Sequence, residues 1–129
     1  MRILVPVDGS EASFRALDFA IELAQRFDGT IHVVHFSNDR TEATETVLDR
    51  AREAIEGSSL TDVPNVELID REVWTDSGVG KAIVRYAEDE GYDHVVMGHH
   101  GSGAVGRAIL GSAAEKVMRA ESIPVTIVP

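Results

Sequence analysis

Alternating strand and helix patterns predict an α/β protein built on a five-stranded, mostly parallel sheet with helices on both faces. Three observations carry that expectation. Five short apolar runs alternate with segments of helical periodicity. No linker or low-complexity stretch interrupts the alternation. The 129 residues suffice for one domain with a substantial core.

The first strand is expected over Ile3 to Val7. Ser10 then caps a helix running to about Phe27, with Phe14, Leu17, Ile21 and Ala24 on one face. Gly29 is read as its terminator. Ile31 to Phe36 forms the second strand. After a short polar loop, a second helix runs from about Thr41 to Glu56, with Gly57 as its cap. A loop over Ser58 to Pro64 leads to a third strand, Asn65 to Val73. Asp76 or Ser77 starts the third helix, which ends at Gly91. Val95 to Met97 is the fourth strand, and Val125 to Val128 the fifth, after a glycine loop and a last helix.

The chemistry concentrates after the fourth strand. Met97-Gly98-His99-His100-Gly101 is followed, after nine further residues, by Gly111-Ser112. Glycines let backbone amides approach a ligand closely, and a helix N-terminus favours an anion, so the segment reads as a phosphate cradle at the carboxyl edge of the sheet. A side chain placed at Gly98 or Gly101 is expected to block that approach while leaving the fold intact. Ser112-Ala113-Ala114-Glu115 fits a capping box, so the last helix is expected to begin with Ser112 as its N-cap. Its hydroxyl then serves either as a cap or as a phosphate contact.

Two look-alike motifs overlap this stretch. Gly101 to Gly106 satisfies the dinucleotide fingerprint, but the one strand that follows ends in Pro129 with no acidic residue for a ribose. Gly101 to Ala108 grazes the P-loop pattern, with Arg107 and Ala108 where Lys and Ser or Thr are required. The plainest alternative is a glycine loop that simply turns.

The spacing of Gly98, Gly101 and Gly111-Ser112 resembles the nucleotide-binding motif of the universal stress protein family, in its ATP-binding branch. The resemblance covers the whole chain, from Ile3-Leu4-Val5-Pro6-Val7-Asp8-Gly9-Ser10 to Ile123-Pro124-Val125-Thr126-Ile127-Val128. It implies a three-layer α/β/α fold of the adenine-nucleotide-hydrolase-like type with strand order 3-2-1-4-5, and a ligand crevice between strands one and four. It implies ATP, or AMP or ADP, as ligand, with Mg²⁺ or Mn²⁺ on the phosphates. Asp8 would lie near the ribose, with Pro6 and Val7 lining the pocket; an Asx turn with Gly9 and Ser10 is its alternative role. The backbone of Phe36 would meet the adenine, although an aromatic ring there departs from the small aliphatic residue common in the family. Met97, Gly98, His100, Gly101, Gly111, Ser112 and Ala113 would shape the cradle, and Arg107 would reach a terminal phosphate. The fifth strand, Val125 to Val128, would pair two subunits antiparallel about a two-fold axis.

The function implied is a nucleotide-dependent stress-response regulator, with slow hydrolysis left open. An enzyme of a related adenine-nucleotide fold is the alternative, but those enzymes carry a Ser-Gly-Gly-x-Asp loop or an HxGH-type histidine pair early in the chain. Asp8-Gly9-Ser10-Glu11 is neither. His99 and His100 are adjacent, yet no carboxylate or third histidine stands at ligand spacing, so no metal ligands are assigned. Trp74 reads as a packing or rim residue.

Composition narrows the classes further. Cysteine is absent, which excludes thiol catalysis and a disulfide framework. A net charge of −10 disfavours a nucleic-acid partner. No apolar run is long enough to span a bilayer, and a soluble cytoplasmic protein is expected. Only Lys81 and Lys116 are lysines among 12 basic residues, against 22 acidic ones. That balance resembles the proteins of salt-accumulating halophiles.

Overall fold

A computed structural model describes residues 1–69, 76–100 and 110–129. Among them, β1 (Arg2–Pro6), α1 (Glu11–Arg26), β2 (Thr30–Ser37), α2 (Glu42–Glu56), β3 (Asn65–Leu68), α3 (Asp76–Glu90), β4 (His94–Gly98), α4 (Ser112–Arg119) and β5 (Val125–Val128) follow one another in strict alternation. The strands form one sheet in the order β3-β2-β1-β4-β5. Every pairing is parallel, with Ile3 opposite Ile31 and His94, Val34 opposite Asn65, and Val95 opposite Val125. The order reverses between β1 and β4, the topological switch point beside which ligands of such sheets ordinarily bind.

Both faces of the sheet are buried, as a parallel sheet requires. Ile3, Val5 and Val33 pack with Leu17 and Ala20 of α1 and Ile55 of α2. Leu4, Val34 and Val95 turn the other way, against Ile83 of α3 and Val117 of α4. The period-2 alternation of β1 therefore sends successive residues into two separate cores.

The helix ends show why the sequence folds locally as it does. Ser10 is extended and its hydroxyl accepts the Ser13 amide at 3.1 Å, the expected N-cap of α1. At the other end the expected role of Gly29 is corrected. Phe27 is the cap, Asp28 takes the left-handed conformation at φ 52°, and the Gly29 amide donates to Ala24 O at 2.8 Å, closing a Schellman motif. Asp tolerates that conformation better than most residues. What Gly29 supplies is room: an added Cβ would lie 2.8 Å from the Met1 carbonyl oxygen. Gly57 caps α2 and Gly91, at φ +71°, ends α3, as expected.

The expected third strand reaches Leu68 as a strand, and Ile69 still donates to Ser37 O at 2.7 Å. Residues 70–73 of that expectation, and Trp74, lie outside the described residues.

α4 begins at Ser112 as expected, but the capping role of that serine is corrected. Gly111, extended at φ −70° and ψ 157°, is the N-cap, and Ser112 is the first helical residue. The Glu115 amide donates to Gly111 O at 2.9 Å, while the Glu115 carboxylate turns forward to Arg119 at 2.8 Å. With its glutamate spent on an i,i+4 pair and its serine one position late, the capping box does not form.

Candidate nucleotide site

The carboxyl edge of the sheet gathers the ends of β1, β2 and β4 with the N-termini of α1 and α4. Its geometry begins where β1 stops. The Val7 amide continues the ladder to Val34 O at 3.0 Å. Gly9 sits at φ +90°, a conformation L side chains rarely adopt, and turns the chain into α1. The Asp8 carboxylate accepts the Ser10 amide at 2.9 Å, so the Asx turn is formed. The Asp8 amide lies 3.4 Å from Ser13 Oγ, and the Ser10 hydroxyl donates to His100 O at 3.4 Å. A short serine network thus links the end of β1 to the start of the glycine loop.

His35 adds a tie that the sequence did not announce. Its Nδ1 lies 2.7 Å from the Val7 carbonyl oxygen, across β2 and β1. The contact assigns the proton to Nδ1, because a carbonyl oxygen only accepts. Pro6 and Val7 are buried beside it.

Phe36 stands at the carboxyl end of β2 as expected, but its ring is spent in the core. It is 5% exposed and packs edge-on against Tyr86, with ring centroids 5.7 Å apart. Only its backbone is left for a ligand at this edge.

Met97 and Gly98 close β4 opposite Ile127 and Val128. Gly98 has a structural reason to be glycine that the sequence reading missed. An added Cβ would lie 2.9 Å from both Ala12 C and Ser13 N, the backbone of the first turn of α1. The expectation that a side chain at Gly98 leaves the fold intact is therefore overturned: the position lets α1 cross β4 at close range.

Beyond Gly98, the His99 amide donates to Val128 O at 2.8 Å, and the Gly111 amide donates to His99 O. These two bonds hold the N-terminus of α4 directly against the end of β4. Gly111, Ser112 and Ala113 thus come to the same edge as Asp8 and Gly98. The His99 and His100 rings meet edge to face at 3.9 Å between centroids. His99 Nδ1 is buried and has no hydrogen-bond partner among the described residues. Gly101 and Arg107 lie outside the described residues.

Two helix N-termini opening onto one strand edge present a positive end of each helix to the crevice. Among the described residues no group of three or more His, Asp or Glu side chains is placed to hold a metal ion. No helix among them is long and apolar enough to cross a membrane. At the neighbouring β4–β5 contact, His94 Nε2 lies 2.8 Å from Thr126 Oγ1, and burial holds the His94 pKa below its ordinary value.

A doubly wound sheet of order 3-2-1-4-5, its order reversing between β1 and β4, defines a three-layer α/β protein. The family profile of the universal stress proteins matches residues 1–129, and the chain belongs to that family. A universal stress protein of Thermus aquaticus is 32% identical, with 98% of this chain and 96% of the relative covered. The structure of a universal stress protein from Archaeoglobus fulgidus in complex with dAMP shares the fold at a TM-score of 0.76 and 21% identity, covering 100% of this chain and 98% of that one. A universal stress protein in complex with cAMP does so at a TM-score of 0.76 and 22% identity, covering 100% and 96%.

Proposed function

We propose that this protein binds an adenine nucleotide, ATP in particular, at the carboxyl edge of the sheet and acts as a nucleotide-dependent regulator of the stress response in the cytoplasm. The single observation that carries the reading is the seam between His99 and Gly111, which sets the first turn of α4 against the end of β4. The leading amides of a helix have no partner within it: that of Gly111 is taken by His99 O, and those of Ser112, Ala113 and Ala114 follow it at this edge. The two relatives whose structures hold dAMP and cAMP support an adenine nucleotide as the ligand class.

In this reading the amides of Ser112 and Ala113 meet phosphate oxygens, with Gly101 and Arg107 completing the cradle. The Ser112 hydroxyl, released from capping, is available to a phosphate. Asp8 lies at the ribose side, held by Ser10. The Phe36 backbone faces the base, with Pro6, Val7 and Met97 as the walls. The buried, unpartnered Nδ1 of His99 fits a site completed by a polar ligand, since buried polar atoms are ordinarily satisfied. Mg²⁺ or Mn²⁺ would travel with the nucleotide, held by its phosphates. The protein works as a homodimer joined through β5.

Isothermal calorimetry with ATP tests the reading on the intact protein and on Ala113→Pro. Proline at this second helical position removes one amide near the phosphates while remaining compatible with a first turn. The expected result is saturable ATP binding that weakens by roughly tenfold in the variant, the scale of one charge-assisted contact. Absence of heat from ATP, ADP and AMP alike would contradict it.

A further inference from the structure

The amino edge of the sheet, opposite the glycine loop, holds a cavity that the nucleotide reading does not use. β3 begins late: its first residue, Asn65, stands opposite Val34, so the earlier part of β2 is paired with β1 on one side and has no strand on the β3 side. The loop before β3 crosses there instead, and Asp62 Oδ2 accepts the Val33 amide at 2.8 Å in place of a strand carbonyl. Between β2, this loop and the end of α3 lies a space of about 330 Å³, walled by His32, Asp62, Val63, Asn65, Tyr86 and Tyr92 among others. That volume is at the small end for ligand pockets, which run from about 300 to 1,000 Å³.

Three properties define what fits. The first is the carboxylate. Asp62 is only 15% exposed, and its other oxygen is 3.7 Å from His32 Nδ1, beyond hydrogen-bond range. Backbone amides of Val33 and Val63 use part of its capacity, which is about four acceptor sites. Burial pushes its pKa up, as expected for a carboxylate whose lost hydration is incompletely replaced. Among the described residues no Lys or Arg lines the cavity.

The second is an aromatic wall. Tyr86 and Tyr92 stack at 5.9 Å and 18°, and His32 meets Tyr92 edge-on at 5.1 Å. This cluster already accepts one cation from outside the cavity: the Arg2 guanidinium lies 4.7 Å from the Tyr92 ring centroid. The third is the overall charge of −10, which enriches cations around the whole molecule.

We propose that this cavity is a second ligand site, for a small primary ammonium compound with a flat apolar body. The ammonium group sits on the free acceptor positions of Asp62, and the body lies against Tyr86 and Tyr92. A primary ammonium brings three donors and no acceptor, which suits the single carboxylate of Asp62 beside the phenol rings of Tyr86 and Tyr92. An anion is disfavoured by the unbalanced carboxylate. The proposal stands independently of the nucleotide reading, because the two sites occupy opposite edges of the sheet.

Phenethylammonium chloride is the probe, titrated into the intact protein and followed by NMR at the His32, Tyr86 and Tyr92 side chains and the Val33 and Val63 amides. Saturable shifts at these groups are expected, with the neutral isostere 2-phenylethanol roughly tenfold weaker or more, the scale of one charge-assisted contact. Asp62→Asn keeps a carbonyl oxygen for the Val33 amide and removes the charge; it is expected to weaken binding to a similar degree. Val63 is 72% exposed, so Val63→Arg sets a cation at the mouth without touching the core, and it too should suppress binding. If Asp62→Asn fails to fold, Val63→Arg decides. The proposal is overturned by an absence of saturable shifts at millimolar probe, by equal affinity for the alcohol, or by binding that survives in every folded variant.

Discussion

At the carboxyl edge of this sheet backbone contacts join the elements, Val7 to Val34, His99 to Val128, Gly111 to His99, and Gly98 against the first turn of α1, with the side chains of Asp8, Ser10 and His35 bonding to backbone beside them. At the amino edge side chains add to the backbone bonds of Thr30 to Met1 and Asp93 to Arg2: Asp62 sits on the Val33 amide, Arg2 on the Glu90 and Gly91 carbonyls, and the rings of His32, Tyr86 and Tyr92 on one another. The difference has a chemical consequence. Backbone amides at helix starts supply positive partial charge whatever the side chains are, which suits an anion. A buried carboxylate among aromatic rings suits a cation. Both edges also differ in how they fail, because a side-chain contact is lost singly while a backbone crossing moves whole elements.

The largest expected effect comes from breaking the backbone crossing. Gly98→Val places carbon atoms against the Ala12 and Ser13 backbone, which has no flexible end to yield. It should destabilise the protein by about 3 kcal/mol, on the scale of severe overpacking, whether or not nucleotide is present. Chemical denaturation measures this, and a wild-type midpoint for Gly98→Val would show that α1 does not cross β4 so closely.

The next effect concerns the free side of the sheet. The β4 amides of Val95 and His99 donate to Pro124 O and Val128 O. In a parallel ladder the alternate residues then point their amides away, so Ile127 presents its N–H outward. Ile127→Pro should convert a dimer into a monomer while costing the β4–β5 ladder nothing, with molecular mass by light scattering as the readout. A wild-type protein that is already monomeric at micromolar concentration would remove β5 as the interface.

At the amino edge, single contacts predict smaller losses. Arg2→Ala deletes the bonds to the end of α3 and the contact over Tyr92, and should cost about 1 kcal/mol in the same denaturation experiment. The Tyr92 hydroxyl is pushed up to about 12, first by burial and then by the neighbouring Tyr86. A phenol whose folded pKa exceeds the unfolded value near 10 favours folding fully below about pH 10. That contribution disappears as pH rises from about 10 through about 12. Ultraviolet titration of phenolate should show one late-ionising tyrosine in the native protein, and Arg2→Ala should leave it late, because burial dominates.

The smallest effect is general. With 22 acidic residues against 12 basic ones, the thermal midpoint should climb as KCl rises toward molar levels, because screening relieves repulsion among like charges. A midpoint indifferent to salt would remove the halophile-like reading of the composition.

Much of this architecture was legible in the chain because its signals are local. Ser10 caps α1 through a residue three positions away, and the strand positions follow from short apolar runs. The strand order was supplied by resemblance, since no local pattern distinguishes β4 beside β1 from other arrangements. The cap of α4 was misplaced by one residue, though not its start, because Ser112 and Glu115 have the right spacing for a capping box, while Arg119 competes for the glutamate. Gly98 was visible as a special residue, but its reason lies in the backbone of Ala12, far away in sequence. The aromatic ring of Phe36 stood out against the family pattern without a reason, because nothing near it in sequence announces Tyr86. Asp62 carried no signal at all: its partner amide is on Val33, 29 residues earlier, in another element.

The account rests on the two edges having opposite ligand preferences, and one measurement addresses that directly. ATP titrated into isotope-labelled protein should shift the backbone amides of Asp8, Phe36, Gly98, His100, Ser112 and Ala113 saturably, leaving Val33, Val63 and Tyr92 unmoved. Shifts confined to the amino edge, or no saturable shift at either edge, would contradict the assignment of the nucleotide to the crevice between β1 and β4.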